Sequence, residues 1–246
     1  MLVMANLASQ DYWDSAYGKR ELRYRAEAVE FVKTFARFLK RGGSCFEVGC
    51  YPGNFLIYLC REFGYVANGI DRTPHVTTRL RDHLRANGVA VGTLYQGDFL
   101  TFQTSERFDV VCSFGFIEHF EEFPTVIQRH IDLVAPGGTL ILTCPNFRRF
   151  QFLLHWLFDR ENLRHHVLAS MDLRRWGEVL EQNGMTVLHQ GYALTAGFWT
   201  EAPGDSLSGR LGRRLERLSA AIDARVEYPN RCTSPYMVCI APKAVA

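Results

Sequence analysis

The stretch Cys45-Phe46-Glu47-Val48-Gly49-Cys50-Tyr51-Pro52-Gly53-Asn54-Phe55 constrains this chain more than any other. An apolar run ends in an acid, passes through a glycine turn and continues into Phe55-Leu56-Ile57-Tyr58-Leu59, which reads as helix. Strand, tight turn, helix is the opening unit of a nucleotide-type α/β fold. Gly49 and Gly53 let the backbone approach a ligand with no Cβ in the way. The helix start beyond them points unpaired N–H groups at whatever binds there. A dinucleotide loop of the G-x-G-x-x-G form needs glycine two positions after Gly49, where this chain has Tyr51.

The following segments repeat the unit. Val66 to Asp71 reads as a second strand ending in an acid, and Asp71 is placed to accept hydrogen bonds from a ribose. The alternative, which the position favours less, is a cap of the helix start near Thr73-Pro74. A basic amphipathic helix carrying Arg72, Arg79, Arg81 and Arg85 follows, then a third strand, Val89 to Tyr95, closed by Gly97-Asp98-Phe99. Phe108 to Phe114 is nearly all apolar, as a central strand covered on both faces should be. It runs into Gly115-Phe116-Ile117-Glu118-His119, at the strand end where ligands bind in such folds. Phe123 to Val134 has helical spacing, Ala135-Pro136-Gly137-Gly138 reads as its terminator, and Thr139 to Cys144 as strand five. Asp172 to Asn183 reads as helix, Met185 to Tyr192 as strand six and Pro235 to Ile240 as the last strand.

Three segments exceed this frame. Residues 1–25 form an arm with Tyr12 and Trp13, which either packs on the domain edge or closes over the site. Residues 145–171 carry Phe147 and Trp156 and end near His165-His166; residues 193–233 hold an apolar stripe from Leu207 to Ile222 with arginines beside it. The stripe is read as a capping helix with a solvated basic face, diluted by Glu216 and Asp223, rather than as a membrane or nucleic-acid surface. His165-His166 lacks an evident third ligand, so no metal is expected.

Composition narrows the class. The 246 residues are 47% hydrophobic and 22% charged, enough for one large α/β domain. A net charge of +2 gives no general pull toward nucleic acid. Seven cysteines with no C-x-x-C pair suggest neither a disulfide framework nor a zinc site. No apolar run reaches membrane-spanning length, and Met1 to Gln10 lacks the pattern of a signal peptide. A cytoplasmic protein with a small-molecule partner is expected, its oligomeric state open.

The pattern E-V-G-x-x-x-G-N at residues 47–54 resembles the first motif of class I S-adenosylmethionine (SAM)-dependent methyltransferases. Gly97-Asp98-Phe99 resembles their third motif, Ser113 to His119 matches S-x-G-x-x-E-H, and the helix-P-G-G-strand junction is similar to theirs. Pro145-Asn146-Phe147 with a later Asn162-Leu163 is loosely similar to methyltransferases of bacterial glycan pathways. The resemblance covers about residues 26–145, 172–192 and the last strand. It implies a Rossmann-like sheet of seven strands, mostly parallel, with helices on both faces and the last strand antiparallel. It implies SAM as cofactor, held by Glu47, Gly49, Cys50, Tyr51, Gly53, Asn54, Asp71, Arg72, Asp98, Phe99, Ser113 and Phe114. Asp98 would accept from the adenine amino group and Phe99 would cover the ring. Tyr12, Trp13, Phe116, Phe147 and Trp156 are candidates for the acceptor pocket, roofed by the arm and both inserted segments.

Methyl transfer needs an aligned nucleophile and, for an alcohol, a base. His119 is the candidate base, with an inflection expected near an ordinary imidazole pKa, and Glu118 would orient it or cap the helix. A structural role for His119 stands beside this. The rival functions are a SAM-binding module without turnover and a nicotinamide-dependent oxidoreductase, which the missing glycine at Tyr51 disfavours.

Overall fold

The computed structural model describes residues 22–24 and 32–245. The arm residues Tyr12 and Trp13 lie outside these. The sheet has seven strands in the order β3-β2-β1-β4-β5-β7-β6. β1 (Ser44–Val48) lies inside it, parallel to β2 (Val66–Asp71) on one side and β4 (Phe108–Phe114) on the other. β3 (Val91–Gln96) extends the sheet beyond β2, and β5 (Val134–Pro145) beyond β4, both parallel. β7 (Tyr236–Pro242) runs antiparallel to β5, and β6 (His189–Ala193) antiparallel to β7.

Side chains alternate across this sheet because successive Cβ atoms of a strand point to opposite faces. Cys45, Cys112, Ile141 and Ile240 enter one core; Phe46, Val111, Leu142 and Cys239 enter the other. The first core is covered by α1 (Val32–Phe38), α2 (Asn54–Phe63) and α3 (Arg79–Ala86). The second is covered by α4 (Phe123–Leu133) and, after α5 (Arg149–Phe158) and α6 (Arg160–Arg164), by α7 (Leu173–Gln182). Trp176 of α7 is fully buried there and donates its indole N–H to the Ser170 carbonyl at 2.6 Å. Leu22 and Tyr24 lie against the first core. The remaining helix, α8 (Leu207–Asp223), belongs to the segment between β6 and β7. No helix among the described residues is long and apolar enough to cross a membrane.

Two boundaries differ from expectation. Pro136-Gly137-Gly138 does not stand between α4 and a later strand, because β5 begins at Val134, directly after α4. The pairing jumps from Phe108↔Val134 to Val110↔Thr139, so the glycines form an excursion within β5. A Cβ at Gly138 would stand 2.9 Å from the backbone oxygens of Ala135 and Asp109, which accounts for the glycine. Lys243 donates to the carbonyls of Ile131 and Val134 at 3.1 and 3.2 Å, satisfying the open end of α4. Strand six starts at His189 rather than Met185, which meets Lys243 through one isolated bridge. Thr186 N and Leu188 N still donate to the Pro242 and Ile240 carbonyls of β7, at 2.9 and 3.0 Å, without extending the strand.

Strand order reverses between β1 and β4, and a crevice beyond the carboxyl ends of such a pair is where ligands bind. Gly49 and Gly115 stand at those two ends.

Candidate active site

The glycine loop leaves β1 between β2 and the Phe116 ring. Gly49 and Cys50 both donate to the Ile70 carbonyl, at 2.9 and 3.2 Å, which ties the loop to β2. Gly49 has φ 72, and a Cβ there would stand 3.1 Å from the Phe116 ring. Gly53 has φ 98 and forms the N-cap of α2 without a side-chain cap bond. Glu47 is buried and one carboxylate oxygen, Oε2, has no hydrogen-bond partner. Burial pushes its pKa well above the usual carboxylate range, the Asp71 charge adds to this, and a bond from the Leu56 backbone opposes it. A ligand bringing a cation or a donor would satisfy that oxygen.

Asp71 ends β2 and braces the loop. Its two oxygens accept from the backbone N–H groups of Tyr51 and Thr73, both at 3.0 Å. Each oxygen retains lone-pair capacity for a further donor. Arg72 and Asp98, assigned separately to the cofactor, are paired with each other by a salt bridge. The other Asp98 oxygen accepts from Leu100 N at 2.9 Å. An adenine amino group at Asp98 would therefore share that carboxylate with Arg72. Phe99 does not present an open face: it is buried against His130 and Phe116, with ring centroids 4.7 and 5.7 Å away. Cys50 and Ser113 are likewise fully buried, and Phe114 stacks on Phe55 at 3.9 Å. The side chains of Phe99, Cys50 and Ser113 are thus packed inward, while Phe114 keeps part of its surface. Asn54 opens α2 and is half-buried; Tyr51 is buried, its hydroxyl without a partner.

The residues after β4 assemble with a distant segment. Residues 117–119 form one 3-10 turn, and Gly115 N donates to the Thr143 carbonyl at 3.1 Å. His119 Nδ1 lies 2.8 Å from the His165 carbonyl. A carbonyl only accepts, so Nδ1 carries the proton and Nε2 is the acceptor. Nε2 lies 3.9 Å from the Glu118 carboxylate. His166 repeats the arrangement, with Nδ1 donating to the Asn162 carbonyl at 2.7 Å and its ring 4.8 Å from that of His119. Val167 N donates to the Glu118 carbonyl at 2.7 Å, locking the two segments together. The ligand-type atoms of Glu118, His119 and His166 lie within 4.8 Å of one another, a group that could hold a metal ion.

Burial governs the charge state of this cluster. It raises Glu118 to about 8, partly offset by a backbone hydrogen bond. It lowers His119 to about 4 despite the His165 carbonyl, and lowers His166 to about 3, with the His119 ring adding to the effect. At neutral pH the cluster is a neutral acid beside two neutral imidazoles. An imidazole inflection near its ordinary value is thus not what this environment gives. The sequence showed no third ligand near His165-His166; the fold brings His166 to Glu118 and His119 and turns His165 toward Glu161.

The acceptor candidates separate. Phe116 is half-buried over Gly49. Phe147 is fully buried between His155, His166 and Trp199, at 4.0, 4.7 and 5.4 Å, and has no open surface. Trp156 is a correction: it stands 43% exposed on the outer face of α5 with the Arg160 guanidinium 4.1 Å over its ring. His155 and Trp199 pack against Phe147, and Asn162, part of the Asn162-Leu163 passage of the sequence, donates to Asp159 at 3.1 Å. The segment after β5 is hydrogen-bonded to the chain between β6 and β7. Asn146 Nδ2 donates to the Ser234 carbonyl and Gln151 Nε2 to that of Gly197, both at 2.8 Å.

Comparison with known proteins fits this geometry. A family model described as a methyltransferase domain matches residues 19–190. A ubiquinone biosynthesis O-methyltransferase from Coxiella burnetii is 22% identical over 62% of this chain and 64% of its own length. The chain thus matches a little under two thirds of that relative. A norajmaline N-methyltransferase from Rauvolfia serpentina is 23% identical over 47% of this chain and 40% of its own. Among solved structures, a SAM-dependent methyltransferase from Thiobacillus denitrificans, in complex with S-adenosylhomocysteine, superposes with a TM-score of 0.56. It is 17% identical and covers 93% of this chain and 95% of its own. The family match, the strand order and the motifs at consecutive strand ends agree: the chain belongs to the class I S-adenosylmethionine-dependent methyltransferases.

Proposed function

We propose that this chain transfers the methyl group of SAM to an oxygen nucleophile on a small acceptor. The family supplies the reaction type, and the nicotinamide alternative falls with it. The relatives include both an O- and an N-methyltransferase, so their names do not choose the acceptor atom. The cluster at Glu118, His119 and His166 supports oxygen. An alcohol must lose its proton as it attacks, and His119 Nε2 is an acceptor at any pH above about 4. Bound SAM would supply an electrophilic methyl. Glu47 and the glycine loop before α2 would hold its amino acid end, and Asp71 its ribose. The buried site would exclude water from the transfer.

A panel of hydroxyl, amine and thiol acceptors, scored for S-adenosylhomocysteine, tests this reading. Turnover confined to hydroxyl acceptors is expected. Turnover confined to amines overturns it, and SAM binding with no turnover returns the chain to a binding module. The same three side chains favour a second reading, a divalent ion positioning the hydroxyl. Loss of turnover on chelation, restored by metal, would select it.

Asp71→Ala should weaken SAM by roughly ten- to a hundredfold, since a charge-assisted bond is worth about 1.5–3 kcal/mol. It also frees Tyr51 N, so calorimetry is read on variants with wild-type circular dichroism. Unchanged affinity removes Asp71 from the cofactor site.

A further inference from the structure

Helix α8 packs with its small residues inward. Gly209, Gly212 and Ser219 are buried; a Cβ on Gly212 would stand 2.9 Å from Thr200, and Ser219 Oγ accepts from Phe198 N at 3.0 Å. The apolar stripe faces the other way. Leu207 and Leu218 are 67% and 64% exposed, with Leu211 and Ile222 exposed between them. The acids expected to dilute its charge are half-buried and lie off the leucine face. Asp223 accepts from Thr195 N and Ala196 N at 2.7 and 2.9 Å, and helical spacing puts Glu216 on the packed side with Gly209 and Gly212. Leucines flanked by Arg210, Arg214 and Arg217 are left outward, and the exposed acids near the helix lie beyond its ends, at Glu201, Asp205 and Glu227.

Helix α5, in contact with α8, repeats the pattern. It buries Gln151, Leu154 and His155 and exposes Phe150, Leu153, Trp156 and Leu157. Asp159, at its end, is buried, accepting from Asn162 Nδ2 and Glu201 N at 3.1 and 2.9 Å. Arg160 stays outside over Trp156.

We propose that α5 and α8 together form a docking face for an anionic membrane surface. An apolar stripe edged by arginines is the composition of helices that lie in a lipid interface, where leucines enter the acyl boundary and cations meet the headgroups. The exposed charges along α5 and α8 themselves are arginines, with the exposed acids Glu161, Glu201, Asp205 and Glu227 beyond the helix ends, and this selects the occupant. A two-fold contact with a second copy would set rows of arginines against each other, and nucleic acid would leave the leucines in water. Burying exposed apolar area and neutralising arginines are independent contributions, so the two can be separated by experiment.

Flotation with vesicles of phosphatidylcholine, with or without about one third phosphatidylglycerol, tests the proposal. Binding to the anionic vesicles at low salt is expected, weakened at about 0.3 M salt, with little binding to phosphatidylcholine alone. The double variant Arg214→Gln/Arg217→Gln should lower partitioning about fivefold per arginine. Leu207→Ser/Leu218→Ser should lower it about tenfold per leucine at any salt. Both pairs are exposed, and unchanged melting of the variants checks the fold. Failure of the wild type to float with anionic vesicles overturns the proposal, as does equal flotation of both variants. A dimer in free solution that the leucine pair dissociates would overturn it in favour of self-association.

Discussion

His119→Asn slows methyl transfer by roughly 10²–10⁴-fold, the usual worth of a positioned general base, and leaves SAM affinity nearly unchanged. An amide can still donate to the His165 carbonyl, so the fold around residues 165–167 is kept; it cannot take the proton of an acceptor hydroxyl. Burial holds His119 near 4, so the imidazole is already neutral across the physiological range. The wild-type single-turnover rate should therefore show no imidazole limb between about pH 5.5 and 7. An acceptor that is already ionised needs no base, and the loss would shrink to about tenfold through positioning alone. A variant with near-normal rate on a hydroxyl acceptor would return His119 to a structural role.

Glu118→Gln should make the protein more stable, by on the order of 3 kcal/mol at pH 7. The folded carboxyl keeps its proton up to about pH 8, whereas an unfolded glutamate loses it near 4.3. Unfolding between those values releases a proton, so wild-type stability falls as pH rises from about 4 to 8 and is level above. Glutamine has no such slope. Melting temperatures of the two should coincide near pH 4 and separate to roughly 6–12 °C at pH 7 in a chain of this size. His119 and His166 act in the opposite sense, because their folded pKa values are depressed: stability is lost as pH falls from about 6.5 toward 4. Both proteins share that limb, so it cancels in the difference. The measurement is made on chelator-treated protein. A glutamine variant no more stable than wild type at pH 8 would show that Glu118 is not held as a buried neutral acid.

What could be read from the sequence was local. Glycine turns, the acid closing β2 and apolar strand runs are set by neighbours in the chain, and Gly49 and Asp71 stand at strand ends and Gly53 at the start of α2, as expected. His166 was out of reach because its partnership with His119 crosses a stretch of sequence that only the tertiary fold closes. Phe147 and Trp156 looked alike as aromatics of one segment, yet one is fully buried and the other faces outward. Helix α8 misled in a different way. A stripe at helical spacing shows that two faces differ, not which one packs. Here glycine and serine give the closer fit to the neighbouring backbone, so the leucines are left outside. Arg72 and Asp98 were each sensible alone, and only the fold shows them bonded to one another.

The place of β7 bears on how the molecule is made. It is translated after the other six strands, yet it lies between β5 and β6 rather than at the rim. A nascent chain that has emerged only to about residue 230 has every helix of the second core available. It nonetheless offers β5 as an open edge and leaves β6 with no strand to pair. Unpaired edges of this kind are templates for wrong partners. The sheet is thus completed by insertion into a gap rather than by growth at a margin. Until residues 236–242 arrive, the interval on the ribosome is the period in which this chain most needs protection from its neighbours.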